Sequence, residues 1–166
     1  MSTIEAPAAS NFLVRAHLLY QRASQFAARS QWLALLAARL LVARVFLLSG
    51  LTKWDGLTIR EDTYYLFADE YFSKYALPAP VIASFATAAS IAEIVLPLLL
   101  AVGLLTRAAA LGLLTMTLVI QFFVYSDAWW TVHAWWSALL MLLIAFGPGV
   151  ASVDHNLKID RAIRAA

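Results

Sequence analysis

The sequence of 166 residues contains no cysteine and few charged residues. The lack of cysteine excludes disulfides, thiolate metal sites, cysteine-ligated iron–sulfur clusters and a thiol relay made by this chain alone. Charged residues are 13% of the chain, against about a quarter in soluble domains, and no basic cluster suited to nucleic acid is present. Redox chemistry at this chain would therefore need a redox centre supplied by another molecule.

Apolar residues are what the chain has in excess: they make up 63% of it, and the mean hydropathy is +0.77. Four segments meet the need for roughly 20 mainly apolar residues per membrane crossing. We predict spans at residues 32–54, 79–105, 108–125 and 131–145. The short separator between the last two makes them antiparallel neighbours. The predicted fold is an all-α bundle of four transmembrane helices in a lipid bilayer.

The orientation of this bundle follows from the basic residues that flank the spans. All seven fall on one side if the N-terminus is cytoplasmic, whereas the loop 55–78 on the other side is mainly acidic. They are Arg15, Arg22, Arg29, Arg107, Lys158, Arg161 and Arg164. We therefore expect a multi-pass protein of the bacterial cytoplasmic (inner) membrane with both ends inside. Residues 1–30 form a basic cytoplasmic segment without the apolar core of a signal peptide, 31–150 the membrane domain and 151–166 a cytoplasmic tail.

Two amphipathic stretches accompany the spans. In residues 11–29, arginines and large apolar residues each repeat at an interval of seven, which predicts a basic helix on the anionic inner leaflet. In residues 61–75, one helical face collects Tyr64, Ala68, Tyr71, Phe72 and Tyr75. That pattern predicts an interfacial helix that acts as an aromatic lid on the outer surface. A plain connecting loop with interfacial aromatics is the alternative.

Ionisable residues inside the spans need an explanation, because each costs about 2.5–3.5 kcal/mol near the bilayer centre. Counting inward from the span ends puts Arg44 and Glu93 near the midplane, so we predict an ion pair between them. Arg39 is expected to extend toward the inner headgroups. Pro97 removes the amide that would bond to the Glu93 carbonyl. The pair either fixes helix register alone, or Glu93 exchanges protons or holds a ligand.

The outer end of the bundle supplies the remaining candidates. Lys53, His133 and Trp136 should gather within one headgroup layer, and Gln121 lies in the outer half of span three. The histidines are placed on opposite sides of the membrane, so no pair brackets a haem, and no metal site of three ligands is visible. The candidate catalytic residues are Glu93 and Arg44, and the candidate cofactor-binding residues are Lys53, Gln121, His133 and Trp136.

Three segments together resemble the DoxX family of small four-helix membrane proteins. Residues 43–53 (ARVFLLSGLTK) resemble its arginine, phenylalanine, glycine and lysine pattern. Residues 92–107 resemble its acid followed by glycine and a threonine-arginine step, and residues 147–154 (GPGVASVD) resemble its ending. The resemblance spans about residues 39–156. It implies a four-helix bundle and marks five family-pattern positions, which are Arg44, Lys53, Glu93, Arg107 and Asp154.

The resemblance also implies a role associated with oxidoreductases. Some members are subunits of a thiosulfate:quinone oxidoreductase, and others are membrane partners of redox-stress or copper-handling systems. A lipid quinone in a pocket near Glu93 would need a proton donor there. The alternatives are an accessory or transport component that recruits a protein through the loop 55–78, with dimerisation to widen any path, and a purely structural scaffold.

Overall fold

The computed structural model describes residues 8–159, with side chains from Phe12 onward. Six α-helices and one two-stranded hairpin make up the described chain: α1 (Ala8–Leu51), β1 (Trp54–Asp55), β2 (Thr58–Ile59), α2 (Glu61–Tyr65), α3 (Ala79–Val102), α4 (Thr106–Val119), α5 (Ala134–Phe146) and α6 (Val153–Asn156). Wider π-helical turns extend α2 to Tyr71 and α4 to Val124, and another leads into α5 from Trp129.

Four helical segments are long and apolar enough to cross a membrane, which confirms the predicted bundle. They are Phe12–Leu51, Ala79–Val102, Thr106–Val124 and Ser126–Phe146. Helix α1 packs against α3 and α5, and α4 packs against the same two helices. The chain therefore closes into a ring of four with the order α1, α3, α4, α5.

Helix α1 is one uninterrupted helix of 44 residues, about 66 Å long at 1.5 Å per residue. The helical conformation predicted for residues 11–29 is confirmed. The prediction of a separate helix lying along the inner leaflet is wrong, because this stretch continues directly into span one. No glycine or proline occurs between Ala8 and Ser49 to break the backbone hydrogen bonds.

The register between α1 and α3 is antiparallel and is fixed at two glycines. Gly50 lies against Glu93, and Gly103 lies against Arg39. Helix α1 ends at Leu51, level with Glu93, whereas α3 continues for 14 residues beyond Glu93 to Ala79, about 21 Å. The outer half of α3 therefore has no part of span one beside it.

Residues 52–75, which we call the outer cover, occupy that space. Trp54 Nε1 donates to the Ser90 carbonyl (3.2 Å), and the ring centroid of Phe72 lies 5.6 Å from that of Phe85. The predicted helix of the cover forms, but it ends at Tyr71, and its buried residues are Thr63 and Phe67. The loop between the first two spans is thus a packed part of the bundle.

The opposite end of the bundle, where the termini lie, is held by Arg39 and Asp154. Arg39 is 1% exposed and donates to the carbonyls of Pro148 (3.0 Å) and Ala151 (2.7 Å). The prediction that Arg39 extends to the headgroups is therefore wrong, because its two terminal nitrogens bond to protein carbonyls inside the bundle. The Asp154 carboxylate accepts from the amides of Leu105 and Thr106, both at 2.8 Å.

The C-terminal tail begins with the predicted short helix. Ser152 Oγ accepts from the His155 amide (3.2 Å) and caps α6. The tail arginines Arg161 and Arg164 lie outside the described residues.

Candidate functional site

A cavity of about 430 Å³ lies among the outer halves of the spans, beneath the outer cover. Its wall is mainly apolar, with Phe46 and Trp136 on one side and alanines of α3 on the other. A few side chains bring polar groups to it, namely Ser49, Lys53, Tyr71, Glu93, Thr115, Tyr125 and His133. An apolar chamber with a few convergent polar groups is the form that small-molecule sites take.

The charged pair at this cavity is Lys53 with Glu93. Lys53 Nζ lies 2.5 Å from Glu93 Oε2, and both side chains are less than a tenth exposed. The amine also donates to the hydroxyl (3.2 Å) and the carbonyl (3.4 Å) of Ser49, one turn earlier in α1. All three ammonium donors therefore have acceptors, as a buried amine requires.

The predicted ion pair between Arg44 and Glu93 is wrong. Lys53, two residues beyond the end of α1, bonds to Glu93 instead. Arg44 is exposed and stands five residues from Arg39, so it lies nearer the end with the termini than the centre of α3. Lys53 is not at an outer headgroup layer either, because α1 ends level with Glu93.

Close approach of α1 to α3 places the carboxylate of Glu93 against the end of α1. A Cβ on Gly50 would stand 2.8 Å from the Glu93 carbonyl oxygen. Pro97 leaves that carbonyl without an amide partner in its own helix, and Gly50 packs over it. Glycine and proline at these two positions thus allow the close crossing of the helices.

His133 and Gln121 form the second polar group of the site. Gln121 Nε2 donates to the Ser126 carbonyl (2.6 Å), which leaves its Oε1 as an acceptor. His133 Nδ1 lies 2.7 Å from that oxygen and must be the donor of this bond. In the neutral imidazole the lone pair is then on Nε2, which has no hydrogen-bond partner among residues 8–159.

Two tyrosines, Tyr71 and Tyr125, line the same cavity as the charged pair on the loop side. Burial raises the pKa of Tyr71, and Tyr125 and then the more remote charge of Glu93 raise it further. The hydroxyl of Tyr71 is therefore neutral at ordinary pH. The rings of Tyr71 and Tyr125 meet edge to face with centroids 6.1 Å apart, which joins the cover to the end of α4.

The structure brings four of the six predicted site residues to one cavity: Glu93, Lys53, His133 and Trp136. Gln121 stands behind His133 as its hydrogen-bond acceptor, and Arg44 is elsewhere. Trp136 contacts the rings of His133 and Phe46, each with centroids 5.4 Å apart. Among residues 8–159, no group of three or more His, Asp or Glu side chains is arranged to hold a metal ion.

Sequence reasoning missed Ser49, Tyr71 and Tyr125 as cavity groups. The spacing of Ser49 and Lys53, four residues apart across the end of α1, could have indicated that the two side chains lie close together. Tyr71 belongs to the predicted aromatic lid, but its place at the cavity of Glu93 depends on where α1 ends.

The DoxX family model matches residues 34–126, more than half of the chain. The chain belongs to the DoxX family. The matched part of this DoxX protein contains Arg44, Lys53, Glu93 and Gln121, whereas His133, Trp136 and Asp154 lie beyond it. Comparisons with curated proteins and with solved structures gave no match.

Proposed function

We propose that this protein is a membrane subunit or partner of an oxidoreductase and that its cavity binds the head group of a lipid quinone. The observation that carries the proposal is His133, a buried histidine that lines the cavity and whose Nε2 has no hydrogen-bond partner among residues 8–159. A quinol hydroxyl would donate to it, and the cavity's apolar wall suits the rest of such a ring.

The charged pair suits the proton balance of quinone chemistry. Reduction of a quinone to a quinol takes up two electrons and two protons. Glu93 Oε2 is bonded to Lys53, whereas Oε1 makes no hydrogen bond to residues 8–159, so the carboxyl group can carry a proton at the cavity wall. His133 can carry the other at Nε2. The chain has no cysteine, so we propose that a partner protein with a flavin, metal or thiol centre exchanges the electrons.

The partner is proposed to bind on the loop side, where the acidic residues of the cover point away from the cavity. Glu61, Asp62, Asp69 and Glu70 are all exposed. Recruitment of a basic partner surface without catalysis is the second candidate function, supported by the same acids. The double exchange D69K/E70K should abolish co-purification of such a partner, whereas the quinone affinity of the purified chain should stay unchanged.

The membrane is proposed to be a bacterial cytoplasmic membrane, with the termini inside. The support is the distribution of basic residues: Arg15, Arg22 and Arg29 of α1 are exposed on the side of the termini. Dimerisation stays a prediction of the sequence.

Quinone binding tests the first proposal directly. The purified protein in lipid nanodiscs is titrated with a lipid quinol, and H133L is compared with wild type. We expect about a fivefold loss of affinity, since one hydrogen bond in the site is worth about 1 kcal/mol. R44Q, which changes a charge outside the cavity, serves as the control and should bind as wild type does. Equal affinities of wild type and H133L, or no binding by either, would reject the proposal.

A further inference from the structure

The gap between α3 and α4 gives the cavity a sideways opening. At Leu96 and Gly112 the two helices are in close contact, since a Cβ on Gly112 would lie 2.8 Å from Leu96 Cδ1. These residues mark the stripe by which each helix faces the other. Farther toward the loop side, the cavity separates the same two stripes.

Helical periodicity identifies the residues on those stripes. Counting back from Leu96 by three or four residues per turn gives Ala92, Ala88 and Phe85 on α3. Counting forward from Gly112 gives Thr115 and Val119 on α4. All five line the cavity. The two helix faces that pack together at Leu96 and Gly112 therefore line the cavity on the loop side of that contact.

The residues at this gap are open to the outside as well as to the cavity. Phe85 is 51% exposed and Val119 is 43% exposed. Ala88 and Thr115 are also exposed. Because both helices are spans, the surface beside the gap is the surface that faces lipid. The gap therefore leads from the polar cavity groups to the hydrocarbon.

The top of the cavity is closed by aromatic contacts between the cover and both helices. Phe72 meets Phe85 of α3, and Tyr75 meets Phe123 of α4 with ring centroids 5.8 Å apart. These rings cover the cavity on the loop side, whereas the lateral gap is lined by exposed residues of both helices.

We propose that this gap is the subsite for the isoprenoid tail of the quinone, with the ring held at His133 and Glu93. The inference rests on the proposed function and adds where the ligand leaves the protein. A cavity of about 430 Å³ is at the small end of sites for drug-sized ligands, so a long tail must extend out of it. The lining residues at the gap are apolar or small, as the hydrocarbon chain of a polyprenyl tail requires.

Tryptophan substitutions at the gap test this proposal. We compare A88W and, on the facing helix, T115W with A37W, which adds the same ring at an exposed position of α1 outside the cavity. Affinities are measured in detergent for a long-tailed quinone and for its tail-less ring analogue. We expect A88W and T115W to weaken binding of the long-tailed quinone at least tenfold and that of the analogue less than twofold. A37W should change neither.

The outcomes separate the subsite from the proposed function. If wild type binds both quinones and the two gap variants bind the long-tailed one normally, the tail does not use the gap, although the proposed function stands. Equal losses of both ligands in the gap variants would also overturn the subsite. If the wild-type protein co-purifies with a phospholipid and not with quinone, and A88W loses that phospholipid, the gap binds a lipid acyl chain and the assignment to a quinone tail is overturned. Failure of wild type to bind either quinone would reject both proposals.

Discussion

Lys53 Nζ lies 2.5 Å from Glu93 Oε2, while Arg44 is exposed on α1 and takes no part in the ion pair. This arrangement resolves how a membrane bundle accommodates an acid about halfway along α3. The amine comes from the first residues beyond α1, and the outer cover folds back over it. The Lys53 carbonyl accepts from the Arg60 amide (3.0 Å) and from the Thr63 hydroxyl (3.3 Å), so the cover fixes the position of the cation.

Removal of one member of the pair should destabilise the protein strongly. K53M leaves the Glu93 carboxylate buried without its cation, and we expect a loss of about 3–5 kcal/mol of unfolding free energy in detergent. K53M/E93L should lose less than the sum of the two single variants. R44Q is the control, expected within about 0.5 kcal/mol of wild type. Additive effects of K53M and E93L would show that the pair is not coupled.

The sequence predicted the number of spans and placed both boundaries of the second and third spans to within three residues. It also predicted Glu93, Lys53, His133 and Trp136 as candidates. The wrong partner for Glu93 has one physical source. Hydropathy continues smoothly through Leu51 to Trp54, so the pattern does not show that α1 ends level with Glu93. Without that register, counting inward from the span ends placed Arg44 beside Glu93. The burial of Arg39 depends in turn on carbonyls 109 and 112 residues away, which no local pattern reveals.

Gly50 should tolerate no side chain. The atom nearest to an added Cβ is a backbone oxygen of Glu93, which cannot move aside without shifting α3. We expect G50A to lose about 1–3 kcal/mol of unfolding free energy. G112A is the matched control, because its Cβ would meet the flexible end of Leu96 instead. A smaller loss in G50A than in G112A, measured by denaturant titration, would contradict the close crossing at Glu93.

Tyr71 should resist ionisation at alkaline pH. Burial raises its pKa well above the ordinary value for tyrosine, so Tyr71 stays neutral at about pH 11. Its contribution to stability is therefore complete below about pH 10 and declines as the pH rises beyond that, because only the unfolded chain ionises there. The tyrosinate absorbance of wild type and Y71F should be equal at about pH 11. One tyrosinate fewer in Y71F would contradict the burial of Tyr71.

The tautomer of His133 should depend on Gln121. In wild type, the bond to Gln121 Oε1 favours the proton on Nδ1. Nitrogen NMR of histidine-labelled protein should show this tautomer for His133, and Q121M should shift the population toward the Nε2 form. His17 and His155, which have no bond to Gln121, provide internal references. If His133 of the wild type is protonated on Nε2, this nitrogen cannot accept a hydrogen bond from a quinol hydroxyl.

The most direct test of the proposed quinone site is photolabelling with an azido-quinone in lipid nanodiscs, followed by mapping of the modified residues by mass spectrometry. The proposed site predicts labels concentrated on cavity-lining residues near His133 and Glu93, reduced by excess unlabelled quinone and by H133L. Labels spread over the lipid-facing surface, unaffected by competitor or by H133L, would contradict a quinone site in this cavity.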